Sequence, residues 1–153
     1  MQKIASFQVN HDTLEKGMYI SRIDGDVVTY DIRMRKPNGG DYLDMNAAHT
    51  LEHLLATYLR NSVASEQVIY VGPMGCRTGF YVLFRGSVTP AQAIALVKES
   101  MAFARDFTGV IPGGSKAECG NYLAHDLAGA KAEAAAMCEV LKNYTEKELE
   151  YQK

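Results

Sequence analysis

The sequence predicts an α+β protein: a two-layer sandwich of a mainly antiparallel sheet packed by helices, in one domain spanning residues 1–153. Three observations predict it. Two β-prone segments meet at Asp24-Gly25-Asp26, and a second β-prone pair flanks the Gly-rich stretch 72–79. Segments with helical spacing of apolar residues lie between these pairs and after them. Strands joined as hairpins pair antiparallel, and the helices must cover the apolar face that such a sheet exposes.

The first hairpin is predicted over residues 18–23 and 27–35, because a Gly flanked by Asp is strong turn punctuation. In its second strand Val28, Tyr30, Ile32 and Met34 alternate with Thr29, Asp31, Arg33 and Arg35, so one face is expected to be buried and the other polar. Pro37-Asn38-Gly39-Gly40 ends it. From Met45 to about Arg60 the period becomes helical, with Ala48, Leu51, Leu55, Tyr58 and Leu59 in one stripe behind a cap at Asp44. Residues 67–71 and 80–85 form the second strand pair, and Cys76 sits in the turn between them. Thr89-Pro90 is a cap with proline in the first helical turn, opening a helix through Phe103. Pro112-Gly113-Gly114 interrupts, Cys119-Gly120 lies in irregular chain, and the Ala-rich segment 123–142 is predicted as the last helix.

A chain of 153 residues buries enough surface to dispense with a disulfide scaffold. Sixteen basic and eighteen acidic residues are scattered without a block, which argues against a nucleic-acid surface. No stretch reaches the length and apolarity of a membrane span, and no basic start precedes an apolar run, so a cytoplasmic protein is expected. Cys76, Cys119 and Cys138 form no CxxC pair and fit thiols or ligands better than bridges.

His49-Thr50-Leu51-Glu52-His53 carries the most specific chemistry. The helical repeat places positions i, i+3 and i+4 on one face, so two imidazoles can grip one metal ion while the Glu between them moves protons. This HxxEH order also occurs in metallopeptidases, so the spacing points to a metal and not to one reaction. A third ligand must come from elsewhere: His11, His125, Cys119, Cys138 or a carboxylate. Cys138 lies within a helical run and reads as a buried small thiol. Cys119, beside Gly120 in loose chain, is favoured. A His2Cys set with an open position suits zinc, iron(II) or cobalt(II). Cys76 in its Gly-rich turn is either a reactive thiol or an inert turn cysteine.

Nearly the whole chain resembles the S-ribosylhomocysteine lyase (LuxS) family, which forms the precursor of autoinducer-2. The resemblance runs through Ser6-Phe7, Asn10-His11, Asp31-Ile32-Arg33, Pro37-Asn38 and His49 to Ala56. It continues through Pro73 to Tyr81, Cys119-Gly120, His125-Asp126-Leu127 and Gly129-Ala130-Lys131. It implies that His49, His53 and Cys119 bind one divalent metal per subunit, typically iron(II), with zinc or cobalt able to substitute. It implies Glu52 and Cys76 as the acid/base pair, Ser6, His11 and Arg33 around the substrate, and a homodimer with its active sites at the interface. Where the family commonly has Ile-Asp-Ile-Ser before Pro-Met-Gly-Cys, this chain reads Ile69-Tyr70-Val71-Gly72, so the usual carboxylate is missing.

The reaction so implied cleaves the thioether of S-ribosylhomocysteine, a step of the methyl cycle and of quorum-sensing autoinducer synthesis. Migration of the sugar carbonyl until the sulfur lies β to a ketone makes elimination feasible, giving homocysteine and 4,5-dihydroxy-2,3-pentanedione. Two other classes compete: an HxxEH metallopeptidase, and a non-enzymatic metal or redox sensor that would close its site with four protein ligands.

Overall fold

The chain runs through a short helix α1 (Ala5–Gln8), strands β1 (Gly17–Asp24) and β2 (Val27–Arg33), helix α2 (Met45–Arg60) and strands β3 (Val68–Pro73) and β4 (Gly79–Arg85). Helices α3 (Pro90–Asp106) and α4 (Leu127–Val140) follow. The computed structural model describes residues 1–152. The four strands form one sheet in the order β1-β2-β4-β3, every neighbouring pair antiparallel. The expected α+β class and antiparallel sheet are therefore found.

Asp24 pairs with Val27, so Gly25 and Asp26 alone make the first turn. Gly25 takes φ +60° at the first central position and Asp26 does not, the pattern of a type II′ turn, which matches the natural twist of the strands. Met18, Tyr30, Ile32, Phe80, Val82 and Phe84 send their side chains into one core with Leu51, Leu54, Leu55 and Leu59 of α2, Met101 of α3, and Ala134 and Met137 of α4. Helix α3 opens with a full capping box between Thr89 and Gln92, and Pro90 begins it.

Three expectations need correction. Strand β2 ends at Arg33, because the amides of Met34 and Arg35 both turn to the Thr78 carbonyl. Its polar face is not solvated: Asp31 and Arg33 are 1% and 3% exposed. Tyr151, stacked on Tyr19 at 5.0 Å, donates to Asp31 Oδ2 at 2.7 Å and covers that face. Helix α4 starts at Leu127 and not at 123, since Asp126 accepts from the Gly129 amide and caps it there.

The C-terminal segment also seals the outer edge of β1. The Leu149 carbonyl accepts from the Ile20 amide at 2.7 Å, and the Tyr144 hydroxyl accepts from the Met18 amide at 2.9 Å while donating to the Met18 carbonyl. Burial holds the Tyr144 phenol well above its ordinary range. Tyr144→Phe strands the Met18 amide, so it is expected to lower unfolding stability by about 1–3 kcal/mol. Urea denaturation checks it: the midpoint falls with an unchanged slope, and an unchanged midpoint removes Tyr144 from the edge seal.

Candidate metal centre and thiol cleft

Asp44 caps α2 by accepting from the amides of Asn46 and Ala47, and Leu51, Leu54, Leu55 and Leu59 bury one side of the helix. That fixes the rotation of the helix, and His49, Glu52 and His53 remain half-buried on the side facing the loop between α3 and α4. The loop brings Cys119 and His125 to the same place. Ligand atoms of His49, His53, Cys119 and His125 all lie within 4.8 Å of one another. Of the third-donor candidates, Cys119 and His125 thus join the pair on α2, while His11 and Cys138 do not. Cys138 packs against the core from α4, and burial pushes its thiol up.

Two backbone carbonyls set the histidines. His49 Nδ1 donates to the Ala124 carbonyl and His53 Nδ1 to the Pro112 carbonyl, each at 2.8 Å. A carbonyl only accepts, so both rings carry their proton on Nδ1 and leave the Nε2 lone pair free for a metal. The turn that presents Pro112 needs Gly113 at φ +66°, where a side chain would be strained and would press on the His53 ring. Cys119 Sγ stands 3.5 Å from His49 Nε2. Two donors of a tetrahedral zinc-like ion, one sulfur and one nitrogen, are separated by about 3.6 Å from ordinary bond lengths. The residues present fit a divalent metal.

His125 sits differently. Its ring stacks on His49 with centroids 3.9 Å apart, and its Nδ1 lies 2.9 Å from the hydroxyl of Thr50, which also accepts from the Asp126 amide. Burial, then the nearby His49 and His53, hold its pKa below the ordinary histidine value. Thr50 lies inside the sequence motif, yet nothing in the spacing marks it as part of the site.

Cys76 belongs to a second constellation. The turn between β3 and β4 is closed by the Arg77 amide donating to the Met74 carbonyl, with Arg77 at φ +60°. This bend presents Cys76 to solvent as an exposed thiol. Behind it a buried chain runs inward: Cys76 Sγ to Thr78 Oγ1 at 3.0 Å, Arg33 to Thr78 Oγ1 at 2.8 Å, and Arg33 to Asp31 at 2.6 Å. Arg33 occupies one lone pair of the Thr78 hydroxyl, and in the contact with Cys76 either the thiol or the hydroxyl can be the donor. Asp31 Oδ1 and Arg33 Nε remain buried and without a partner among the described residues.

His11 faces Cys76 across a cleft of about 360 Å³ lined also by Asn38, Tyr42, Arg77 and Thr78. The lining includes none of the four metal-group residues. His11 Nδ1 donates to the Val9 carbonyl at 2.8 Å, leaving Nε2 as an acceptor. Ser6 lies on α1 and lines a separate cleft with Arg22, Tyr70 and Tyr81 on the open face of the sheet. Tyr70, which stands where the usual carboxylate is missing, is half exposed there. A Cβ at position 72 would overlap its ring, so Gly72 is what lets Tyr70 lie along the strand.

With this geometry in view, comparison with known proteins gives a consistent answer. The sequence model of S-ribosylhomocysteinase (LuxS) matches residues 4–148. The chain is 46% identical to an S-ribosylhomocysteine lyase of Desulfotalea psychrophila over 157 residues, covering 99% of both chains. It is 46% identical to that of Clostridium acetobutylicum, again covering 99% of both, and 45% identical to that of Phocaeicola vulgatus, covering 99% of this chain and 98% of the relative. A four-residue group able to hold a metal, an exposed thiol in a Pro-Met-Gly-Cys turn and near-complete coverage by such relatives lead to one assignment: the chain belongs to the S-ribosylhomocysteinase (LuxS) family of lyases.

Proposed function

We propose that the chain cleaves S-ribosylhomocysteine to homocysteine and 4,5-dihydroxy-2,3-pentanedione, the autoinducer-2 precursor, using a metal held by His49, His53 and Cys119. The observation that carries the reading is the convergence of those three donors, two of them on the helical face that also carries Glu52, in a chain of this family. Iron(II) is the proposed native metal, with zinc(II) or cobalt(II) as substitutes, since all three accept a mixed imidazole and thiolate set. When bound, the metal supplies Lewis-acid stabilisation of negative charge on a sugar oxygen.

The chain's own residues do the rest. Each carbonyl migration moves one proton off a sugar carbon and another onto its neighbour. Glu52, on the same helical face as His49 and His53, and Cys76, exposed at its turn, are the two groups assigned to these transfers. The Thr78 hydroxyl, oriented by Arg33, donates to the Cys76 sulfur whenever that sulfur carries charge. His11 offers Nε2 as a hydrogen-bond acceptor to the substrate, and Ser6 is also assigned to substrate binding. Arg33 keeps a positive charge beneath the cleft. Elimination then removes the carbon 4 proton, forms the carbon 4–carbon 5 double bond and breaks the carbon 5–sulfur bond, and the homocysteine sulfur takes up a proton and leaves as a thiol.

Because Cys76 and His11 share a cleft that lacks the metal donors, we place the complete site across a homodimer, with the metal and Glu52 from one subunit and the thiol cleft from the other. One observation favours a second reading: a fourth donor, His125, stands in the metal group, as a closed sensor site would require.

The test is to incubate the purified metal-loaded chain with S-ribosylhomocysteine and titrate the liberated thiol. One thiol per substrate consumed is expected. A metal-replete protein that releases none would overturn the lyase reading and leave the sensor.

A further inference from the structure

His125 lies as close to Cys119 as a ligand would, and the rings around it decide its role. An imidazole bound through Nε2 has its centre about 3.2 Å from the ion, so two such rings stand about 5.2 Å apart at a tetrahedral angle and about 4.5 Å apart at a right angle. The His49–His53 and His53–His125 centres are both 4.8 Å apart, within that range. The His49–His125 separation of 3.9 Å, with the rings inclined by only 20°, falls below both values. As the rings stand, His49 and His125 are too close together for both to share an ion with His53.

The hydrogen bonds choose between them. His49 Nδ1 meets a carbonyl, so its Nε2 has no proton. His125 Nδ1 meets the hydroxyl of Thr50, which is 0% exposed. That hydroxyl already accepts from the Asp126 amide, and among the described residues its single proton finds no acceptor other than His125 Nδ1. Were the ring to donate instead, a buried hydroxyl proton would be left unpaired. Thr50 thus donates into Nδ1, and the neutral ring carries its proton on Nε2, 3.8 Å from Cys119 Sγ.

We propose that His125 is a positioning residue and not a metal ligand: its Nε2–H donates to the Cys119 sulfur, and Thr50 fixes the tautomer that makes this possible. The proposal rests on the reading of Cys119 as a ligand. An N–H aimed at a metal-bound thiolate spreads its charge, orients it and keeps a fourth protein donor out of the ion's remaining position. Thr50, within the HxxEH segment, then serves the metal centre through the hydrogen on one hydroxyl.

The experiment uses the full chain labelled with nitrogen-15 in histidine and loaded with zinc(II), observed by long-range proton–nitrogen correlation. His49 and His53 are expected to be protonated at Nδ1 with Nε2 bound to zinc, and His125 to be protonated at Nε2 with a bare Nδ1. A zinc-bound or proton-free His125 Nε2 overturns the proposal. Failure to take up zinc at all overturns the metal reading together with it, so the two failures are distinguishable. Zinc affinity gives a second readout: Thr50→Val is expected to weaken it about 10–100-fold, with Thr50→Ser close to the parent. Equal affinity in Thr50→Val and the parent also overturns it.

Discussion

Cys76→Ala is expected to retain its metal and release no measurable homocysteine, whereas Cys119→Ala loses the metal itself. The two sulfurs differ in surroundings. Cys76 is exposed at a turn, hydrogen-bonds the Thr78 hydroxyl and is not one of the metal-group residues, so removing it leaves the donors on α2 in place. Cys119 sits 3.5 Å from His49 Nε2 in the metal group. A lost general acid or base lowers turnover by about 10²–10⁴-fold, and the proposed mechanism uses each group more than once, so Cys76→Ala and Glu52→Gln both belong at the upper end of that range. Metal analysis beside a thiol-release assay checks it. A Cys119→Ala protein with full metal occupancy removes Cys119 from the ligand set, and a Glu52→Gln protein with robust turnover removes Glu52 from the proton transfers.

Mixing those two inactive proteins is expected to restore activity. In a two-fold dimer whose sites combine the metal group of one subunit with the thiol cleft of the other, each mixed dimer of Cys76→Ala and Cys119→Ala contains one site damaged twice and one intact. Random exchange makes half of the dimers mixed, so about a quarter of parental turnover returns. If thiol and metal of one site come from the same chain, both sites of every mixed dimer are damaged and nothing returns. The measurement is turnover after subunit exchange at equal concentrations.

Much of the framework was legible because its signals are local. The Asp-Gly turn, the stripe from Ala48 to Leu59 with Asp44 before it, and Thr89-Pro90 each specify an element from neighbouring residues, and each element stands where they place it. The pairing of His49 with His53 was legible for the same reason. What escaped depends on distant chain. The burial of Asp31 and Arg33 is brought about by Tyr151, 120 residues away, which no strand pattern announces. The alanine-rich run favours helix as far back as residue 123, yet Asp126 stops it, and only that stop lets the Ala124 carbonyl and His125 turn toward α2. The stop comes from the Asp126 side chain capping the Gly129 amide, which helix propensity alone does not register. The role of Thr50 needs two partners, at positions 125 and 126, that only the tertiary fold supplies.

The stretch between α3 and α4 has neither helix nor strand to stiffen it, and it meets α2 through the very histidines that face the metal group: Pro112 holds His53, Ala124 holds His49, and Cys119 lies between. If the proposed metal binds there, order in that stretch and capture of the ion are expected to be linked. Under that reading, withdrawing the ion is expected to leave the sheet and helical core intact and to speed amide exchange first in the crossover from α3 to α4, so scarcity of the ion would be felt as looseness of the polypeptide in one place.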